Sequence, residues 1–322
     1  MAVLRVLFVF TARKRGLIDA AARGDAPDTL LFGFNHVGRH GIAPTLHEPE
    51  YGALGRLAAR QVGRFGPDAL QLRTLRRFGG HDAVFLTGAW PLLLAARAIP
   101  RLRRPKLVWL NMTLTNLLRR GGWRAALVSA AVRCADAIVC VAEFQRRFLH
   151  ERLGIAYERL PLVLSGTDAR FYDPARAAAP RGASTDPSVL AAGRDPGRDY
   201  ATLAAAVAAP PALRARIVCS PRNVAGIDLP ANVEARFDVP QTALRDEYSA
   251  ARAVAVPTLG DESTAGSDCS GTLVLLDALA MRRPAAIAAR SSVGDYVTPG
   301  EHALTYRAGD AVDLRRQLDA AL

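Results

Sequence analysis

Short apolar runs of strand length recur along this chain, and most are followed by a stretch whose apolar residues fall at helical spacing. Residues 3–10, 42–46, 82–86, 107–110 and 137–141 are such runs in the first half, and 189–192, 216–220, 233–237, 254–256 and 284–288 in the second. Helices are expected at 17–22, 28–40, 51–65, 68–78, 91–99, 123–134 and 142–149, then at 241–250 and 310–322. Alternation of this kind specifies parallel sheets. Parallel neighbours need a long crossover, which lays a helix on a sheet face. The chain has 322 residues, enough for two domains. The Pro-, Ala- and Ser-rich stretch 174–187 reads as the linker, giving expected domains 1–173 and 174–322.

Charge narrows the partners. The formal net charge is +12, and 40 of the 42 basic residues are arginine, Lys14 and Lys106 being the exceptions. Such a surface suits nucleic acid, an anionic membrane surface or an anionic small molecule. Zinc-finger spacing, an RNP-like aromatic strand and a basic helix with heptads are all missing, so nucleic acid is set aside as a partner. No apolar run reaches the roughly 18 to 20 residues that span a bilayer. The opening MAVLRVLFVF is followed by TARKRG, which fits a first strand and not a signal peptide. Four cysteines without metal-ligand spacing (Cys134, Cys140, Cys219, Cys269) fit a reducing cytoplasm. The expected location is cytoplasmic, with a peripheral place at the inner membrane surface as a variant of it.

Residues 258–284, TLGDESTAGSDCSGTLVLLDALAMRRP, carry the chemistry. A polar loop turns abruptly into an apolar helix, with Ser270 expected as its N-cap and Gly271 and Thr272 opening it. An apolar strand ending in this loop and a helix N-terminus together make a place for an anion. Gly271 lets a phosphate approach the backbone. Asp277 interrupts the apolar run. A buried carboxylate is costly unless it is paired, so Asp277 either finds a protein partner or accepts hydrogen bonds from a ligand.

The run SDCSGTLVLLDALAMRRPAAIA resembles the donor-site signature of the nucleotide-sugar glycosyltransferases of family 4. The resemblance implies the GT-B fold, two Rossmann-like domains whose parallel sheets face a central cleft. It implies diphosphate contacts from Ser270, Gly271 and Thr272, and a ribose contact from Asp277, where the family usually has Glu. A second family Glu would fall on Cys269; Asp268 or Glu262 stands in for it. The stretch GRDPGRDY is similar to the family's second donor motif, which makes Arg194 and Arg198 contacts of the β-phosphate. Arg222, after the next strand, corresponds to a nucleotide-base contact. LPLVLSGTDARFYD resembles the crossover between domains, with Gly166 and Asp168 shaping a turn.

The first half resembles the family only in pattern. On that side Arg13 in the basic loop after the first strand, Asn111 and Thr113 after the fourth, and Glu143 after the fifth are expected to face the acceptor. The implied reaction moves a sugar from a nucleotide-sugar co-substrate to an acceptor, with retention and without metal or other cofactor. The acceptor is a glycan, a lipid-linked molecule or a small molecule. Two rival readings share the fold: a sugar-nucleotide epimerase, which needs acids and a His that cannot be assigned here, and a catalytically silent binding or scaffold protein.

Overall fold

The computed structural model describes residues 3–49, 67–96, 99, 104–178 and 188–322. The expected helix at 51–65 and most of the linker lie outside them. The chain packs as two units, one of residues 1–22 and 30–163 and one of residues 23–29 and 164–322. By packing, 164–173 therefore join the second unit, ahead of the linker.

The first unit is built on a parallel sheet of five strands: β1 (Leu4–Val9), β2 (Ile42–His47), β3 (Ala83–Leu86), β4 (Lys106–Asn111) and β5 (Ala137–Cys140). Their order is β2-β1-β3-β4-β5. The order reverses between β1 and β3, and ligands in doubly wound sheets bind outside the carboxyl ends of strands at such a point. Leu7, Val9, Val84, Leu86 and Leu107 are fully buried beneath helices Trp90–Ala96, Gly122–Val132 and Glu143–Leu153. On β1, Phe8 meets Phe34 edge-on at 5.3 Å. The helix expected at 28–40 does not form as one. Phe32 and Gly33 take φ of 50° and 81°, which ends any right-handed helix there, leaving short 3₁₀ turns at Thr29–Leu31 and Val37–His40.

The second unit holds six parallel strands: β6 (Ser188–Ala192), β7 (Arg214–Cys219), β8 (Val233–Phe237), β9 (Ala253–Val256), β10 (Ala285–Ala288) and β11 (Leu304–Tyr306). Their order, β11-β10-β9-β6-β7-β8, is the dinucleotide-binding Rossmann order, and it reverses between β6 and β9. The inner strands β9 and β10 are buried along their whole length. They read as unbroken apolar runs for that reason. Strand β11, only three residues long, lacks that signal and was not expected. The terminal helix Ala311–Ala321 starts on Asp310, whose carboxylate accepts the Asp313 N–H at 2.9 Å. No helix among the described residues is long and apolar enough to cross a membrane.

Candidate functional site

The two donor motifs of the sequence are the loops that leave β6 and β9, the strands flanking the reversal in the second unit. They are laced together. Leu259 N–H donates to the Gly197 carbonyl at 2.9 Å, Asp199 N–H donates to the Pro257 carbonyl at 3.2 Å, and Arg198 bridges to Thr258. Helix Thr272–Ala280 follows the β9 loop, so its N-terminus opens onto the reversal.

Arg198 lies in the middle of this arrangement. A Cβ on Gly193 would collide with its Nε, so the guanidinium lies against that glycine's backbone. It reaches on toward Gly271, where a Cβ would stand 3.5 Å from Nη1. Nε and Nη1 are both buried and make no hydrogen bond in the protein. A buried guanidinium with unmet donors is costly unless something accepts from it. Phosphate oxygens would meet that demand.

The helix opens one residue later than expected. Gly271 is the N-cap, at φ 96°, and the Ser270 side chain makes no cap bond. A Cβ on Gly271 would lie 2.9 Å from both Thr258 Cγ2 and Val256 Cγ1, so glycine is required by space as well as by conformation. Ser270 Oγ donates instead to Asp195 Oδ1 at 3.0 Å. The same carboxylate accepts Gly197 N–H at 2.7 Å and Ser267 N–H at 3.0 Å. Asp195 therefore ties both loops together. It escaped the sequence reading, although an Asp two residues before a Gly signals an Asx turn. Asn223 buttresses the same loop from beyond β7, its Nδ2 donating to the Asp195 carbonyl at 3.0 Å.

Asp277 is on the core side of helix Thr272–Ala280, only 9 % exposed. Of the two alternatives left open for it, a protein partner is present: Thr167 Oγ1 donates to Oδ1 at 2.5 Å. Tyr172 also hydrogen-bonds the carboxylate. Burial pushes Asp277 up to about 7, against the opposing pull of Thr167, Tyr172 and Arg198. Burial, with Asp277 beside it, holds the Tyr172 phenol far above its ordinary value. Asp168 shapes the neighbouring turn as expected, its Oδ1 accepting the N–H groups of Arg170 and Phe171 at 3.1 and 3.2 Å.

The remaining donor-side residues differ in their freedom. Thr272 is buried in the first turn of the helix. Arg194 is exposed and pairs with Asp238 at 3.3 Å. Arg222 reaches back to the Arg194 carbonyl at 3.4 Å, so these two arginines share one rim. Glu262 is exposed and folds over Gly260, where a Cβ would collide with its Oε2. Asp268 is fully buried, its carbonyl accepting from Arg290 at 2.9 Å. Burial raises the neighbouring Cys269 thiol to about 12, so it stays protonated.

In the first unit the four expected acceptor-side residues all lie at or just beyond the carboxyl ends of strands. Arg13 is exposed in the loop after β1, at that sheet's reversal. Its neighbours Lys14 and Arg15 give their N–H groups to Glu48, which holds that carboxyl low despite its burial. Asn111 is fully buried, and its Oδ1 accepts the Leu114 N–H at 3.0 Å, starting helix Leu114–Arg119. Thr113, at the N-cap position, is exposed and makes no cap bond. Glu143 opens helix Glu143–Leu153 and pairs with Arg146 at 2.8 Å. Gln145 joins the two strand ends, accepting from Val141 N–H and donating to the Asn111 carbonyl.

Two doubly wound parallel units, the second in Rossmann order, make up the GT-B fold. Residues 22–171 match the family model described as Glycosyltransferase Family 4. The match falls on the first half, which resembles the family in pattern only. Among solved structures, Anabaena HepE in complex with UDP and glucose matches with a TM-score of 0.65 at 14% identity, covering 98% of this chain and 89% of that one. Sucrose-phosphate synthase from Thermosynechococcus elongatus matches at 0.65 and 15%, with the same coverage. A UDP-forming α,α-trehalose-phosphate synthase from Burkholderia xenovorans matches at 0.64 and 13%, covering 100% of this chain and 91% of that one. At these identities the likeness establishes the fold. No curated protein sequence matches the chain.

Proposed function

We propose that the protein moves a sugar from a nucleotide-sugar donor, held at the β6–β9 reversal of the second unit, to an acceptor hydroxyl. The observation that carries this reading is Arg198, whose buried Nε and Nη1 lack partners beside the N-terminus of helix Thr272–Ala280. The donor diphosphate would lie on that N-terminus and on the guanidinium, with Arg194 at the rim. Ser270, Gly271 and Thr272 would contact it through the loop and first turn. Asp277 would take ribose hydroxyls, Arg222 the base side, and Asp268 and Glu262 the sugar. On this reading the first unit is the acceptor side, with Arg13, Asn111, Thr113 and Glu143 serving it, and the second unit, which includes 164–173, the donor side.

In the transfer the acceptor oxygen bonds the anomeric carbon as the bond from that carbon to the diphosphate breaks. The acceptor proton passes to the departing phosphate oxygen, so retention follows from attack on the leaving-group face. Fixed guanidinium and amide donors stabilise the charge that develops on the diphosphate, work that a metal does in other sugar transfers. The structurally similar proteins include one in complex with UDP and glucose and one that is UDP-forming, which favours a UDP-linked donor here.

One observation favours a second reading, a protein that binds the donor without turnover. The Asp195 carboxylate occupies three donors of the loops a diphosphate would approach. A panel of UDP-, GDP- and dTDP-sugars separates the readings, with melting temperature and nucleoside diphosphate release measured together. One donor class raises the melting temperature, because a ligand of the native state stabilises it, and is turned over slowly to free nucleotide. A shift without release supports the silent reading, and no shift with any donor overturns both.

A further inference from the structure

In the first unit, helix Gly122–Val132 buries Ala125, Val128, Ala131 and Val132 against the sheet, as a surface helix should. Its opposite face is not polar. Trp123 is 56 % and Leu127 40 % exposed, one turn apart. Together they form a small apolar patch whose burial would be favourable. The Arg124 guanidinium lies 5.4 Å from the Trp123 ring, and Arg119 and Arg120 immediately precede the helix.

The same stripe continues into a basic concavity. Ala126, Ala130, Arg133 and Cys134 follow Trp123 at helical intervals and line one side of a cavity of about 1020 Å³. Its other side carries Arg104, Lys106 and Arg159. Asp136 is the one acid among the lining residues, 3.5 Å from Arg104 and 3.6 Å from Lys106. Four cations against one carboxylate leave the concavity net positive; the Lys106 side chain stays mostly in water, whereas Arg104 is only 12 % exposed beside Asp136. An indole and a leucine beside a basic hollow match an interface with an apolar layer beneath anionic phosphates.

We propose that this face of the first unit docks on an anionic lipid bilayer. Trp123 and Leu127 enter the headgroup region, while Lys106 and Arg133 hold lipid phosphates. Nucleic acid would satisfy the arginines but gives Leu127 nothing to contact. The inference does not rest on the donor-site reading, since no residue of the second unit takes part, and its test needs no nucleotide.

The test is co-sedimentation of the full chain with vesicles of phosphatidylcholine alone and of phosphatidylcholine mixed with phosphatidylglycerol. The protein sediments with the mixed vesicles, not with the neutral ones, and salt releases it. The pairs Trp123→Ala/Leu127→Ala and Lys106→Ala/Arg133→Ala each lower the partition coefficient by roughly tenfold or more. Trp123 is the exposed indole, as Trp109 is buried and Trp90 partly so, and its emission shifts to the blue on mixed vesicles. Trp123→Phe abolishes that shift, and brominated lipids quench the wild-type emission even if a double variant fails to fold. Equal binding to both vesicle types, binding that survives both double variants, or RNA binding or self-association without vesicle binding overturns the proposal.

Discussion

Asp277→Asn should flatten the pH dependence of stability. The wild-type carboxyl is raised from an ordinary 3.8 to about 7 by burial. In the unfolded chain it ionises near 3.8, whereas in the fold it keeps its proton until about 7. Across that window the unfolded state binds fewer protons, so Asp277 makes the protein lose stability as pH rises, with no further loss above about 7. At 1.36 kcal/mol per pH unit the full effect is on the order of 4 kcal/mol, an upper figure for so buried a group. Asparagine is neutral at every pH, and its carbonyl oxygen can still accept from Thr167 and Tyr172. Urea unfolding of both proteins from pH 4.5 to 8.5 reads the effect as a difference, in which other titrating groups cancel. The variant gains on wild type as pH rises and is at least as stable at pH 8. A variant that falls further behind wild type as pH rises would refute the burial argument. The ribose role makes a separate claim: nucleotide affinity of wild type rises through pH 7 as the carboxylate forms, and this rise is absent in the variant.

Asp195→Ala removes three hydrogen bonds that tie the β6 and β9 loops. It should cost about 3 kcal/mol of stability at roughly 1 kcal/mol per bond, read by denaturant unfolding. Gly271→Ala places a methyl group 2.9 Å from Thr258 and Val256 at a φ of 96°. It should lower the melting temperature and weaken nucleotide binding together, whereas Gly294→Ala, with open space around it, should change neither. EDTA should leave transfer activity intact, and activity lost to EDTA and restored by Mg²⁺ or Mn²⁺ would remove the guanidinium-only account of the leaving group.

Buried parallel strands were legible because both faces of the sheet are covered, which turns them into apolar runs such as 253–256 and 285–288. Strand β8 and helix Gln241–Ala250 fall within their expected bounds. What failed was local geometry. The 28–40 stretch has helical apolar spacing, yet Phe32 and Gly33 adopt positive φ, which spacing does not encode. At the candidate site the residue types that anion binding needs, Gly, Ser and Arg near a helix start, are visible in the sequence. Their wiring was not readable. Ser270 donates to Asp195, 75 residues away, in place of capping its own helix, and Thr167 meets Asp277 across 110 residues. Such pairings depend on which strands become neighbours, and sequence spacing says nothing of that.

The central claim is that Arg198 receives a donor diphosphate at the β6–β9 reversal, and calorimetric titration of UDP into wild type and Arg198→Ala tests it most directly. The account predicts a loss of about 1.5 to 3 kcal/mol in the variant, roughly 10- to 150-fold in Kd. The loss at the exposed, ion-paired Arg194→Ala should be smaller. Equal UDP affinity in wild type and Arg198→Ala, both folded by their melting curves, would contradict it.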